Sequence, residues 1–262
     1  MNSLEKRMIE VLKELRDDFG VFEIKAEFEA EGSRMEEMMR LKDITSSVNL
    51  PIILKIGGVE AVTDVYNALS LGVKGCIAPM AETKYALSKF TDLIDNYVAK
   101  DNASDIEFGA NIETITACNN FVDMLTIDNI NNLSGFTVGR VDLVGSMGLG
   151  RESINTSNEV TSLCRSVFSK SKEKGFKTAL GGGISVDAFP VINELNSDGL
   201  IDKYETRKVV FPAESISHGE KAILKAVEFE FLWLQSKKRY YSGIKKEDAK
   251  RIEMLEKRLK AN

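Results

Sequence analysis

Gly135-Phe-Thr-Val-Gly-Arg-Val-Asp-Leu-Val-Gly-Ser-Met-Gly-Leu-Gly150 decides the reading of the fold. It reads as a buried strand, 136–143, that runs into a glycine-rich loop, with one carboxylate, Asp142, at the strand end. Upstream, Phe108-Gly-Ala-Asn-Ile-Glu-Thr114 is a second short strand ending in a carboxylate, Glu113. Two acids at the ends of two strands, each followed by loop and helix signals, are how an α/β barrel builds a divalent-metal site.

Outward from these two strands, strand and helix patterns alternate, which means βαβ units and a parallel sheet. Residues 22–31 have strict period two: Phe22, Ile24, Ala26 and Phe28 face one way, and Glu23, Lys25, Glu27, Glu29 and Glu31 the other. In a barrel the outer face is covered by helices, so these charges point into the lumen, where they need partners. Further strands are expected at 51–56, with Lys55 near its end, at 75–80, at 106–113, at 177–180 and at 204–211. Helices are expected at 3–19, 34–48 (core positions Met35, Met38, Met39 and Leu41), 59–71, 82–98, 117–125, 158–174 and near 187–195. Seven strands are clear, so the expected fold is a TIM-type (β/α)8 barrel with one irregular or missing strand and a C-terminal helical extension.

The barrel is expected over 1–213. From 214 to 262 helices are expected at 214–236 and 245–260, packed on the barrel or on an oligomer partner, because a narrow apolar stripe on a charged helix calls for one.

The totals fit this reading. A chain of 262 residues suits one barrel of about 250 residues. The net charge of −5 argues against a nucleic-acid binder. No apolar run approaches the ~20 residues of a membrane span, and residues 1–19 lack the apolar centre of a secretory signal. Three scattered cysteines, Cys76, Cys118 and Cys164, read as reduced thiols of a cytoplasmic protein. The single histidine, His218, limits the choice of general base.

Over roughly residues 21–185 the sequence resembles the HpcH/HpaI aldolase–citrate lyase β family of metal-dependent carbon–carbon lyases. The resemblance rests on Asn111-Ile-Glu-Thr114, on Val138-Gly-Arg-Val-Asp-Leu143 followed by Ser146-Met-Gly148, on Pro51-Ile-Ile-Leu-Lys55 and Ile77-Ala-Pro-Met80, and on the acidic Glu27-Phe-Glu29. It implies that Glu113 and Asp142 hold Mg²⁺ or Mn²⁺, and that the metal stabilises the enolate of a pyruvate- or oxaloacetate-like 2-oxo acid. It also implies that backbone N–H groups of Gly139, Arg140 and Val141 hold the substrate carboxylate, and that the protein is a homo-oligomer, a trimer or hexamer.

The departures are specific. Lys55 stands where the family usually has arginine, giving a point charge in place of a planar fork; Arg207, placed on the last strand, or Arg140 would supply the guanidinium. Ala30, Glu31 and Gly32 stand where the aldolase branch has a histidine, which leaves Glu29, Glu31, metal-bound water or a group of the substrate as the base.

Three alternatives remain at this level. Gly181-Gly-Gly-Ile-Ser185 has the form of a phosphate-gripping loop, with Gly182 and Gly183 nearest the anion. A lumenal lysine, Lys25, Lys55 or Lys208, would permit a metal-free Schiff-base reaction. A non-catalytic scaffold barrel is the third.

Overall fold

The computed structural model describes residues 1–260 and closes eight strands into a barrel in sequential order. The strands are β1 (Glu23–Glu27), β2 (Ile52–Lys55), β3 (Gly75–Ala78), β4 (Glu107–Ile112), β5 (Gly135–Gly139), β6 (Lys177–Gly181), β7 (Lys203–Glu205) and β8 (Val209–Pro212). The helices are α1 (Ser3–Phe19), α2 (Met35–Ser46), α3 (Val62–Leu71), α4 (Lys84–Tyr97), the short α5 (Lys100–Ala103), α6 (Ile115–Met124), α7 (Arg140–Ser146), α8 (Asn158–Glu173), α9 (Phe189–Ser197) and α10 (Glu220–Lys260).

Strands β1 to β7 are parallel, each to the next. The eighth is not. β8 pairs antiparallel with β7, Glu205 opposite Val210, and antiparallel with β1, Glu23 opposite Val210. The strand expected at 204–211 is therefore two strands joined by the turn Thr206–Lys208, and the irregular strand lies here. A parallel crossover needs a dozen or more residues; three leave only a hairpin. Thr206 closes it: its N–H donates to Val209 O (2.9 Å) and its Oγ1 accepts from Val209 N (3.1 Å).

Reversing β8 changes what surrounds it. The chain leaves β8 at the opposite end of the barrel from the β7–β8 turn, where Ser215 donates to Phe19 O at the end of α1. α10 then climbs back beside α1, burying Ala226, Phe229 and Trp233. The tail expected as two helices is one continuous helix. Its first turns pack on the barrel beside α1.

The period-two reading of β1 holds. Ile24 and Ala26 are buried against the helices. Inside, Glu23 meets Lys203 (2.9 Å), and Lys25 meets Glu205 (2.6 Å) and Glu27 (3.1 Å). One core expectation fails: Met39 is exposed. Met39 lies on the outer side of α2, whose buried stripe is Met38, Leu41 and Ile44.

Candidate active site at the barrel mouth

The mouth, at the C-terminal ends of β1 to β7, opens into a cavity of about 400 Å³. Glu113 follows β4 directly and is 1% exposed. Its Oε1 accepts from Met80 N (3.1 Å), and its Oε2 accepts from Asn111 Nδ2 (2.9 Å) and Lys55 Nζ (3.2 Å). Burial raises the Glu113 pKa; Lys55, Asn111 and the Met80 N–H pull it back only in part, and Asp142 adds to the rise. A side chain at Gly139 would come within 2.5 Å of Glu113 Oε2, so β5 passes against the carboxylate because residue 139 has none.

Asp142 also lines the cavity, from a different element than expected. The strand stops at Gly139, and Arg140–Ser146 is a helix, so Asp142 sits exposed in the first turn of α7 and not at a strand end. Among the described residues its carboxylate receives no side-chain hydrogen bond.

Lys55 ends β2 with its ammonium 2.8 Å from Glu29 Oε2 and 3.2 Å from Glu113 Oε2. Burial would lower its pKa, but the charges of Glu113 and Glu29 outweigh that and raise it. Lys25 is raised in the same way by Glu205 and Glu27 against burial. Both are ammonium ions, and neither is a free amine for a Schiff base. Burial lowers the Lys208 pKa despite Glu31. Yet its Nζ is paired with Glu31 and lies 6.0 Å from the Trp233 ring centre, between the hairpin and α10.

The other expected residues separate into three groups. Glu29 lines the cavity in the loop after β1, its Oε2 paired with Lys55, while Glu27 Oε2 is buried and accepts no hydrogen bond among the described residues. Arg207 also lines it, from the β7–β8 turn and not from a strand, 3.2 Å from Glu31 and 3.7 Å from Glu27. Glu31 is tied at the rim by Arg207 and Lys208.

Arg140 is different. Its side chain is completely buried, and its guanidinium donates to Gly181 O (3.4 Å), Gly182 O (2.9 Å), Ile154 O (3.3 Å) and Asn155 Oδ1 (2.8 Å). It ties the start of α7 to the segments at 154–155 and 181–182 and is not free to be the guanidinium that a substrate meets. Gly182 and Gly183 line the cavity at positive φ, and a Cβ on Gly182 would lie 2.6 Å from the amide nitrogens of both Arg140 and Val141. Gly182 is thus required by close packing onto the start of α7, and Gly183 by the Ile154 side chain, 2.8 Å from where its Cβ would be.

Sequence reasoning missed Asn111 and Glu205. Asn111 has the parity of Glu113 on one strand, which was signal enough to place both in the lumen.

A hard divalent cation suits the donors present. With two lone pairs per oxygen, Oε1 of Glu113 keeps one free and Asp142 keeps both its oxygens. Among the described residues no group of three or more His, Cys, Asp or Glu side chains is arranged around one point. Glu113 and Asp142 both line the cavity, and a cation there would be held by two carboxylates with water or substrate completing its shell, as Mg²⁺ is commonly bound.

Solved structures carry the same barrel. The chain superposes on the citrate synthase SbnG with a TM-score of 0.59 at 16% identity, covering 75% of this chain and 80% of that one. For an HpcH/HpaI aldolase from Desulfitobacterium hafniense DCB-2 the values are 0.58, 13%, 72% and 79%. For an HpcH/HpaI aldolase/citrate lyase family protein from Burkholderia cenocepacia J2315 they are 0.58, 15%, 77% and 91%. The fold is theirs. It agrees with the resemblance carried by Asn111–Thr114 and Val138–Leu143. No family model matches the sequence, and no curated protein sequence matches it. At these identities the likeness speaks for the backbone, and the chemistry must be argued from the side chains. No helix among the described residues is long and apolar enough to cross a membrane.

Proposed function

We propose that this barrel is a divalent-metal-dependent carbon–carbon lyase or aldolase acting on a 2-oxo acid. One observation carries the reading: the cavity is lined by six carboxylates, Glu27, Glu29, Glu113, Asp142, Glu205 and Glu230, against four cations, Lys25, Lys55, Arg151 and Arg207. A small dianionic substrate is repelled by such a mouth unless a further positive charge enters with it. Glu113 and Asp142 are where that charge fits. The fold shared with an HpcH/HpaI aldolase and a citrate synthase supports the same reading.

When bound, Mg²⁺ or Mn²⁺ would supply the charge that offsets the enolate oxygen. The chain's own residues do the rest. Lys55 has three N–H donors, two directed at Glu29 and Glu113, which leaves one for the substrate carboxylate. Backbone N–H groups at Gly139–Val141 lie too close under Gly182 to be the main anion site. Arg207, at the rim, steers the anion inward. In the cleavage direction Glu29 takes the proton of the hydroxyl on the carbon being released. The C–C bond breaks, its electron pair stays with the 2-oxo acid as the enolate, and a carbonyl product leaves. Glu31 holds the rim and transfers no proton.

The test is titration calorimetry of Mn²⁺ and Mg²⁺ with and without oxalate, a mimic of the enolate. Wild type should bind metal, and oxalate should tighten that binding. Glu113→Gln and Asp142→Asn should each weaken it at least tenfold, about 1.4 kcal/mol. Wild type that binds neither ion in the presence of oxalate would remove the reading.

A further inference from the structure

Along α10 the exposed apolar residues follow a heptad. Leu224, Val227, Phe231 and Leu234 are each more than half exposed, at spacings of three, four and three. The same spacing continues through Lys238, Tyr241, Lys245 and Asp248 to Ile252, Leu255 and Leu259, of which the last three are again exposed. The seam runs from 224 to 259, about 54 Å at 1.5 Å per residue. Beyond residue 233 α10 buries no residue of its own, and Gly243 in its middle has nothing within 4 Å of where a Cβ would be. A projecting helix with a central glycine is marginal by itself. An apolar 3,4-repeat on it calls for a second helix.

We propose that α10 pairs antiparallel with α10 of a second copy of this chain. The polar positions of the seam select both the partner and the direction. In a parallel pair, like positions meet: Lys238 faces Lys238, Lys245 faces Lys245, and Asp248 faces Asp248. In an antiparallel pair, the first apolar position of one heptad meets the second of the other. One alignment then serves the layers from Val227 to Leu259, with Tyr241 keeping its bond to Glu37 of its own chain. Lys238 falls opposite Asp248, Lys245 opposite Tyr241, Phe231 opposite Leu255, Ile252 opposite Leu234, and Leu259 opposite Val227. Because the two helices are related by a two-fold axis, each of these contacts occurs twice.

One flanking pair is complementary and two like-charged pairs are offset within their own chain. Glu230 falls opposite Arg258 of the second copy. Lys237 and Glu228, which face Arg251 and Glu256 in this alignment, are already neutralised in their own chain. Lys237 lies 2.8 Å from Glu37, and Glu228 is 2.6 Å from Arg7 and 2.9 Å from Lys225. The pairing also reaches the cavity. Val227 and Glu230 line the mouth, so the last turn of the second copy's helix, with its Arg258, lies along the rim. The contact generates a dimer, or an even-numbered assembly of dimers, and does not by itself build a trimer.

Sedimentation velocity on the full-length protein tests this, with far-UV circular dichroism to confirm that each variant is folded. Wild type should be dimeric or an even oligomer. Leu255→Asp should dissociate this contact. Lys238→Asp and Asp248→Lys should each weaken it at least tenfold, and the double exchange should return it to within a few-fold of wild type. Direction is read by cysteines: under oxidation Lys238→Cys with Asp248→Cys should give covalent dimer, and Lys238→Cys alone should not. A monomeric wild type, an assembly indifferent to Leu255→Asp, a double exchange that recovers nothing, or cross-linking by the single cysteine would each overturn the proposal.

Discussion

Glu27 lies among three cations, Lys25, Arg207 and Lys55, and that gives it a signature in pH. Burial would raise its pKa, but Lys25 and Arg207 outweigh burial and hold it below the ordinary carboxylate value. A group with a lowered folded pKa stabilises the fold above its unfolded pKa, and that contribution is lost as pH falls through the folded value. Glu27→Gln should therefore be less stable than wild type at pH 7, and the gap should close on acidification from about pH 5 to pH 3. Urea midpoints across that range decide it; a gap that widens with acid would refute the sign. Gly182 offers a second test. At φ +75 with a Cβ position 2.6 Å from two backbone nitrogens, Gly182→Ala meets both conformational strain and overlap. Each of these costs about 1–3 kcal/mol, so a loss of at least ~2 kcal/mol in urea denaturation is expected. The lumenal charges of β1 were legible because alternation alone sorts residues to the two faces of a strand. That Arg140 would be consumed by loop carbonyls was not: its four acceptors come from residues 14 to 42 positions away.

At the scale of elements, two boundaries escaped the sequence for the same reason, a missing punctuation mark. The β7–β8 turn, Thr206-Arg207-Lys208, contains no Gly, Pro or Asn, the residues that usually announce a reversal. α7 begins at Arg140, after Gly139, without a side-chain cap and continues in valine and leucine, so it reads as more strand. Once the turn is placed, its three residues force the antiparallel strand, and the direction of α10 follows. The start of α7 is held by Arg140, which ties it to the loop at 154–155 and to the end of β6. Arg140→Met would leave the buried acceptors at Gly181, Gly182 and Ile154 without their donor. The cost of stranding such groups is about 1–3 kcal/mol each before relaxation, so a loss of about 3 kcal/mol or more is expected. The same variant separates the structural role from a substrate-binding one. A structural arginine lowers the urea midpoint and speeds proteolysis between residues 147 and 157. An anion-binding one would weaken oxalate binding at unchanged stability.

For the whole molecule, charge and apolar layers divide the lumen. One end is closed by the Glu23–Lys203 and Glu107–Lys177 pairs, the middle is filled by residues such as Ile53, Ala179 and Val210, and the open end carries the carboxylate-rich cavity. The barrel could be read from the spacing of strands and helices, because those periods are local. The length of α10 beyond the barrel could not, since Ser242-Gly243 looks like a place to stop. That length separates two kinds of stability. Buried contacts of α10 end at Trp233, with Tyr241 still donating to Glu37 and lying under Arg34. A chain ending after Ile244 keeps all of them and should unfold cooperatively with nearly the wild-type enthalpy. It loses Ile252, Leu255, Leu259 and Asp248, and with them most layers of the antiparallel seam. Association that favours the folded state makes the melting temperature rise with protein concentration. Full-length protein should show that rise over a hundredfold range of concentration, and the shortened chain should not. If the shortened chain melts far lower at every concentration, residues 245–260 stabilise the barrel within one chain, and the seam is not what they serve.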